Sequence, residues 1–199
     1  MSLNLVTPAA LEPTTPADFA AHARIDPSIA AITTEATWIT DCLMAAREWA
    51  ESFTQRQFIT ATWELWLDYF PTWEIKIPKA PLISVVSLKY LATDGTLTTL
   101  DPSLYLVDNP AGPEAQQGAV LPAYQQTWPV TRRQENAVKI QFTAGYGAAA
   151  ANVPFAIKRG IYIKAAELYQ RREEQVAGTI LAASNPPASE ALLWPYRSW

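Results

Sequence analysis

The sequence predicts an α+β protein: an α-helical bundle with an inserted antiparallel β lobe and an extended C-terminal tail. Three observations carry that expectation. Apolar residues recur at helical spacing on both sides of the chain's middle, the middle alternates apolar with polar side chains, and Ser184-Asn185-Pro186-Pro187 interrupts the last helical pattern ahead of an aromatic terminus. Helices are expected at about 16–24, 27–55 and 153–175, the β insertion at about 58–146 and the tail at about 186–199, all in a single domain of residues 1–199.

The first helix has Thr15 or Pro16 at its start. The second opens at Asp26-Pro27, a capping side chain followed by a proline suited to the first helical position. From there Ile29, Ile32, Ala36, Ile39, Leu43, Ala46, Ala50 and Phe53 recur at steps of three and four and share one face. Trp38, Cys42, Ala45 and Trp49 form a second stripe, so this helix should be covered from two sides.

After Gln57 the pattern becomes alternation. Trp63, Leu65, Leu67 and Tyr69 point one way and Thr62, Glu64, Trp66 and Asp68 the other, while Trp73, Ile75 and Ile77 alternate with Glu74 and Lys76. Ile83 to Tyr90 and Thr96 to Leu100 flank Asp94-Gly95, a hairpin dipeptide whose two residues both suit positive φ. Val138, Ile140 and Phe142 form a further strand that ends near Ala144-Gly145-Tyr146-Gly147. The stretch from Asn109 to Pro129, with four prolines and two glycines and little periodicity, reads as a loop. Helix returns at Asn152-Val153-Pro154, with Ile157, Ile161, Ala165 and Leu168 in one stripe and Phe155, Tyr162, Ala166 and Tyr169 beside it. The two long helices each have a face too apolar for water and are expected to pack on each other.

Composition limits the function. With 199 residues, 49% apolar and 17% charged, the chain has material for one sizeable core, or for one core plus an inserted lobe. A net charge of −4 argues against a general phosphate-binding surface, which needs excess Lys and Arg to displace counterions. The lone Cys42 cannot form an internal disulfide, and MSLNLVTPAALEPTTP lacks the basic start and apolar stretch of a secretory signal, so a reducing, cytoplasmic compartment is expected. No run approaches the ~18 apolar residues of a membrane span.

Reactive groups do not gather into a constellation. His22 is the only histidine and is expected to be an exposed residue of the first helix; Cys42, inside an apolar stripe, reads as an inert buried thiol. An ordinary Cys/His zinc site therefore lacks ligands. Gly145-Tyr146-Gly147 lacks the further glycine of a dinucleotide fingerprint and the Gly-Lys-Ser/Thr of a P-loop, and reads as a turn. Glu48 with Glu51, and Glu173 with Glu174, read as solvated helix faces. The expectation is a protein that is not an enzyme and takes no cofactor or metal.

The aromatic residues remain. Trp38, Trp49, Trp63 and Trp73 fall on apolar faces and are expected in the core, whereas Trp66 falls on the polar side of its strand and Trp194 and Trp199 lie in the tail. Bulky side chains at a terminus need a partner to cover them, and Trp, Tyr and Arg concentrate at binding hot spots.

The order of pieces ADFAAHARID, AAREWAESFTQRQFITATWELWLDYFP, IKIPKAPLISVVSLKYLATDGTLTTLD, YLVD, ENAVKIQFTAGYG, VPFAIKRGIYIKAAELYQRRE and LLWPYR resembles the phage head–tail connector (adaptor) proteins of the gp6-like and phiE125 gp8-like kind, also found in gene transfer agents. The resemblance runs from about Pro16 to Arg197. It implies a structural protein of the head–tail neck, assembled in the bacterial host cytoplasm, whose copies form a ring, generally a dodecamer. That ring joins the portal to the stopper or tail-completion protein, and DNA passes through it without specific binding. No role comes with the resemblance for the stretch from Asn109 to Pro129. On this reading Leu192, Leu193, Trp194, Pro195, Tyr196, Arg197 and Trp199 are the portal-binding residues. The alternative from another class is a carbohydrate-binding module that stacks sugars on Trp66, Trp194 and Trp199; a hydrolase with unusual carboxylate geometry ranks third.

Overall fold

A computed structural model describes residues 1–30, 32–171 and 187–198. The protein is α+β, with helices before and after an antiparallel β region. Its described residues divide into two compact units, each built from separate stretches: 1–10, 55–148 and 198 form a β unit, and 11–30, 32–54, 149–171 and 187–197 a helical unit.

The helical unit begins with α1, Pro16–Ala23. Thr15 caps it by accepting a hydrogen bond from the Asp18 amide at 3.1 Å, and its hydroxyl donates to the Asp18 carboxylate at 2.7 Å. Arg24, at φ 56°, ends it in the left-handed conformation, with the Ile25 amide donating back to the Ala20 carbonyl. The single helix expected over 27–55 is two helices: α2, Pro27–Ala30, and α3, Thr33–Thr54. At the α2 end the Ile32 amide donates to the Ile29 carbonyl in a tight turn. Ile32, Thr33 and Thr34 are three β-branched residues in a row, and Ile29 and Ile32 are exposed, so no burial offsets the poor helix propensity there. The apolar stripe becomes core only from Ile39 onward, through Leu43, Ala46 and Ala50. Cys42 is buried with them, but Ala45 of the second stripe is exposed. Gln55, at φ 56°, stops α3.

The last long helix, α4, spans Phe155–Gln170, and the remainder of the expected helix to about 175 lies outside the described residues. Ile157, Ile161 and Ala165 are buried, and α4 packs on α3 as their apolar faces predict. Phe155, assigned to the second stripe, is the first residue of α4 and is 75% exposed rather than covered. The C-terminal tail is not extended over its described part. Residues Ala188–Leu193 form α5 and Trp194–Tyr196 a 3-10 turn, and α5 packs against α4.

The β unit holds two sheets. Strands β1 (Ser2–Thr7), β2 (Ala61–Leu67), β8 (Val138–Ala144), β4 (Leu82–Leu91) and β5 (Leu97–Thr99) lie in that order in one antiparallel sheet, and β3 (Ile75–Lys76), β7 (Ala119–Pro122) and β6 (Tyr105–Asp108) form the other. In the larger sheet β2 and β8 pair in full register, Leu65 opposite Ile140 and Trp63 opposite Phe142. One face is therefore apolar throughout, and Leu65, Leu88, Val138, Ile140 and Phe142 make the centre of the core. The other face carries Thr62, Glu64 and Trp66 opposite Thr143, Gln141 and Lys139. There Lys139 bonds Glu64 at 2.7 Å and places its ammonium over the Trp66 ring.

Four expectations change in this unit. The N-terminal SLNLVT, outside the β insertion expected at about 58–146, is strand β1. The stretch from Asn109 to Pro129 contains β7, whose hydrogen bonds come from β3 and β6. Trp73 is not core: it is 65% exposed, beyond the end of any paired strand, and its carbonyl accepts a hydrogen bond from Trp128 Nε1 at 2.8 Å. Of the Asp94-Gly95 pair only Gly95 has positive φ, because the connection is a turn closed from Gly95 to Ala92, with Asp94 accepting from the Thr96 amide. Trp38, Trp49 and Trp63 are half-buried.

Candidate interaction site at the C-terminal segment

The tail residues singled out in the sequence are brought together on the helical unit, but not as a uniformly exposed set. Pro187 precedes α5, and the Ala191 amide bonds back to the Pro187 carbonyl at 2.9 Å. Pro195 has no amide hydrogen, so the helical pattern cannot continue through it, and the chain closes instead through the Arg197 amide on the Trp194 carbonyl at 3.1 Å. Leu193 is fully buried. Leu192, Tyr196 and Arg197 are half-buried, Trp194 is 53% exposed and Pro195 is exposed. Trp199 lies outside the described residues.

Burial of Leu193 has a specific cause. It packs onto Gly160 of α4, where a Cβ would come within 3.0 Å of Leu193 Cγ. An interior helical glycine costs helix propensity, and here its missing side chain is the notch that admits the leucine. Beside that notch lies an aromatic and cationic row. The ammonium of Lys164 sits 5.2 Å from the Trp49 ring centre, Trp49 stacks on Phe53 at 5.5 Å, and Phe53 meets Trp194 at 6.4 Å. Arg197 places its guanidinium over both Phe53 and Trp194, at 5.5 and 5.6 Å. Such cation–π contacts are worth about 0.5–1 kcal/mol each at exposed sites. Sequence reasoning identified the segment but missed the residues that hold it, Gly160, Phe53, Trp49 and Lys164. Gly160, standing between Ile157 and Ile161 in an apolar helix face, was the available signal.

The remaining candidates are structural. His22 is half-buried rather than exposed: its Nδ1 accepts from Arg159 Nη1 at 2.8 Å and its ring stacks on Tyr162, with centres 5.7 Å apart. Burial, and then the Arg159 charge, lower its pKa from the ordinary value. Nearby, the Tyr169 hydroxyl donates to the Glu35 carboxylate. Glu51 is not on a solvated face but is held with Glu12 and Glu48 by Arg47, at 2.9, 2.8 and 3.3 Å respectively. Glu173 and Glu174 lie outside the described residues. Gly145-Tyr146-Gly147 is a turn, both glycines at positive φ. Among the described residues no group of three or more His, Cys, Asp or Glu side chains could hold a metal ion, and no helix is long and apolar enough to cross a membrane. Trp66 and Trp194, offered as sugar platforms, have their rings under Lys139 and Arg197, so neither presents a bare face on that side.

No family model matches the sequence, and no curated protein does. Solved structures do. A chain from the neck of an empty gene transfer agent particle, computed with C6 symmetry, superposes with a TM-score of 0.81 at 23% identity, over 100% of this chain and 96% of that one. A chain from the virion of a native gene transfer agent particle gives 0.78, and one from the neck of a native particle computed with C12 symmetry gives 0.74, each at 22% identity over the same shares. Over its whole length, this chain has the fold of those neck and virion chains.

Proposed function

We propose that this protein is a non-enzymatic structural adaptor of a tailed phage or gene transfer agent, located at the head–tail neck of the virion and assembled in the bacterial host cytoplasm. On this reading the whole chain acts as one connector domain of the gp6-like and phiE125 gp8-like kind. Its copies form a homo-oligomeric ring, a dodecamer, between the portal and the stopper or tail-completion protein, and DNA passes through the ring without specific binding. The observation that carries the reading is a fold match over 100% of the chain to a protein of a gene transfer agent neck. Such necks are described with C6 and with C12 symmetry, which supports a cyclic ring of copies.

The segment after Pro187 is the portal-docking element. Trp194 and Pro195 are its outward anchors, with Leu192, Tyr196, Arg197 and Trp199 completing the contact. Leu193, buried on Gly160, orients the segment in the free subunit. Trp, Tyr and Arg in a small cluster make a hot spot when a partner removes them from water. The test is co-sedimentation with portal rings from the same genetic element, followed by electron microscopy of the complex. Trp194→Ala should weaken docking by roughly 2 kcal/mol per contact, multiplied in effect when many copies bind one ring. Undiminished binding by Trp194→Ala would remove the segment from the interface, and no co-sedimentation of the wild type would remove the adaptor reading itself.

A further inference from the structure

We infer that neighbouring copies join through the β unit, the open edge of β1 on one copy taking the open edge of β5 on the next, so that the larger sheet runs on from subunit to subunit. The inference rests on the reading of the protein as a ring-forming adaptor and names the contact between its copies. β1 and β5 are the two ends of the sheet order β1-β2-β8-β4-β5, so each pairs on one side only. Among the described residues no other strand pairs with either. The Ala92 amide donates to the Thr96 carbonyl and the Leu100 amide to the Leu88 carbonyl, which turns residues 96 and 100 towards β4. By alternation Leu97 and Thr99 turn their amides and carbonyls outward, where a further strand would meet them.

Soluble proteins guard such edges with charge, proline or brevity. The smaller sheet follows that rule, since β3 has two residues, one of them Lys76, and β6 ends in Asp108. The larger sheet does not. Neither Ser2–Thr7 nor Leu97–Thr99 contains a proline or a charged residue, and β1 is six residues long. Apolar side chains also stand uncovered at both margins, with Leu5 49%, Val6 44% and Leu97 59% exposed. A row of unpaired amides and carbonyls recognises another strand, and direction selects which one. Four successive antiparallel pairings leave β1 and β5 running the same way. A rotation about an axis along the strands therefore carries β5 of one copy beside β1 of the next, in parallel and with the two core faces on one side. This contact joins two different edges and so repeats around a ring, whereas β1 on β1 would close after two copies.

The experiment uses the full-length chain carrying Asn4→Cys and Thr99→Cys, mixed with portal rings and, separately, concentrated alone, then treated with a short bismaleimide. Both positions lie on the sheet face away from the core, Asn4 opposite Glu64 and Thr99 opposite Lys89. Within one copy they are four strand spacings apart, about 19 Å, beyond the reagent's reach. Cys42 is buried. The double variant should give a covalent ladder that extends beyond the dimer, and each single variant should give none. Leu97→Pro removes an amide that β4 does not use, and Leu5→Lys puts a charge on the β1 margin. Each should weaken association about three- to tenfold in sedimentation while its thermal melt stays with the wild type. Association unchanged in both variants would overturn the inference. Dimers from Asn4→Cys alone would also overturn it, since β1 then pairs with itself. So would rings in electron microscopy that give no ladder, because the copies then meet elsewhere, and a chain that neither cross-links nor associates under either condition. A ladder formed by the chain alone, with no binding to portal rings, would support the edge contact and remove the portal reading.

Discussion

Arg159 of α4 donates a hydrogen bond from Nη1 to Nδ1 of His22 on α1, across 2.8 Å. A guanidinium can only donate, so Nδ1 is the acceptor and the imidazole is neutral, with its proton on Nε2. Protonation would set two cations against each other while the ring remains stacked on Tyr162. The folded-state pKa is lowered, by burial first and by Arg159 second. The unfolded chain therefore takes up the proton first as pH falls. This contribution to stability is complete above the unfolded value of about 6.5 and is lost below it, as pH falls through the lowered folded-state pKa. Denaturant midpoints measured at pH 7.5 and 5.5 should fall more for the wild type than for His22→Gln. Equal falls would show that His22 does not couple to folding.

The α3–α4 seam supplies a packing prediction. Leu43 is 2% exposed, and Leu43→Ala should cost about 2–5 kcal/mol through lost burial and a residual cavity. The chemical denaturation midpoint measures this directly, and an unchanged midpoint would contradict the packing described for α3.

In the β unit the sensitive position is Gly145. Its φ of 135° is one that other residues rarely adopt, and a Cβ there would lie 2.7 Å from the Thr60 amide nitrogen and 2.8 Å from the Ile59 carbonyl carbon. Both neighbours are backbone and cannot step aside. Gly145→Ala should destabilise by about 1–3 kcal/mol, whereas Gly112→Ala, with open space around it though also at positive φ, should cost less. Thermal melts of the two variants would rank them, and the reverse order would show that the close approach does not govern the cost.

Duplex DNA should not be gripped by this protein. The net charge of −4 and the acid-rich Arg47 cluster leave little drive for counterion release. Filter binding of duplex DNA at moderate salt should show little retention. Tight binding that weakens steeply with salt would be the contrary result.

Much of this architecture was determined by the sequence alone. The core residues Ile39, Leu43, Ala46 and Ala50 of α3, Ile157, Ile161 and Ala165 of α4, and Val138, Ile140 and Phe142 of β8 all stand where their spacing puts them, because a helix or strand buried on one face must repeat its apolar residues at its own period. The aromatic character of the C-terminal segment was equally plain. What only the tertiary structure decided is which partner covers each face. Ile29, Ile32, Phe155 and Trp73 are as apolar as their buried neighbours but are exposed. β1 and β7 are strands because β2, and β3 with β6, offer them hydrogen bonds, a non-local gift that short segments do not advertise. Leu193 is buried because a glycine thirty-three positions earlier leaves a notch of its size. Periodicity records that a surface avoids water, while the identity of what excludes the water is set by contacts between residues far apart in the chain.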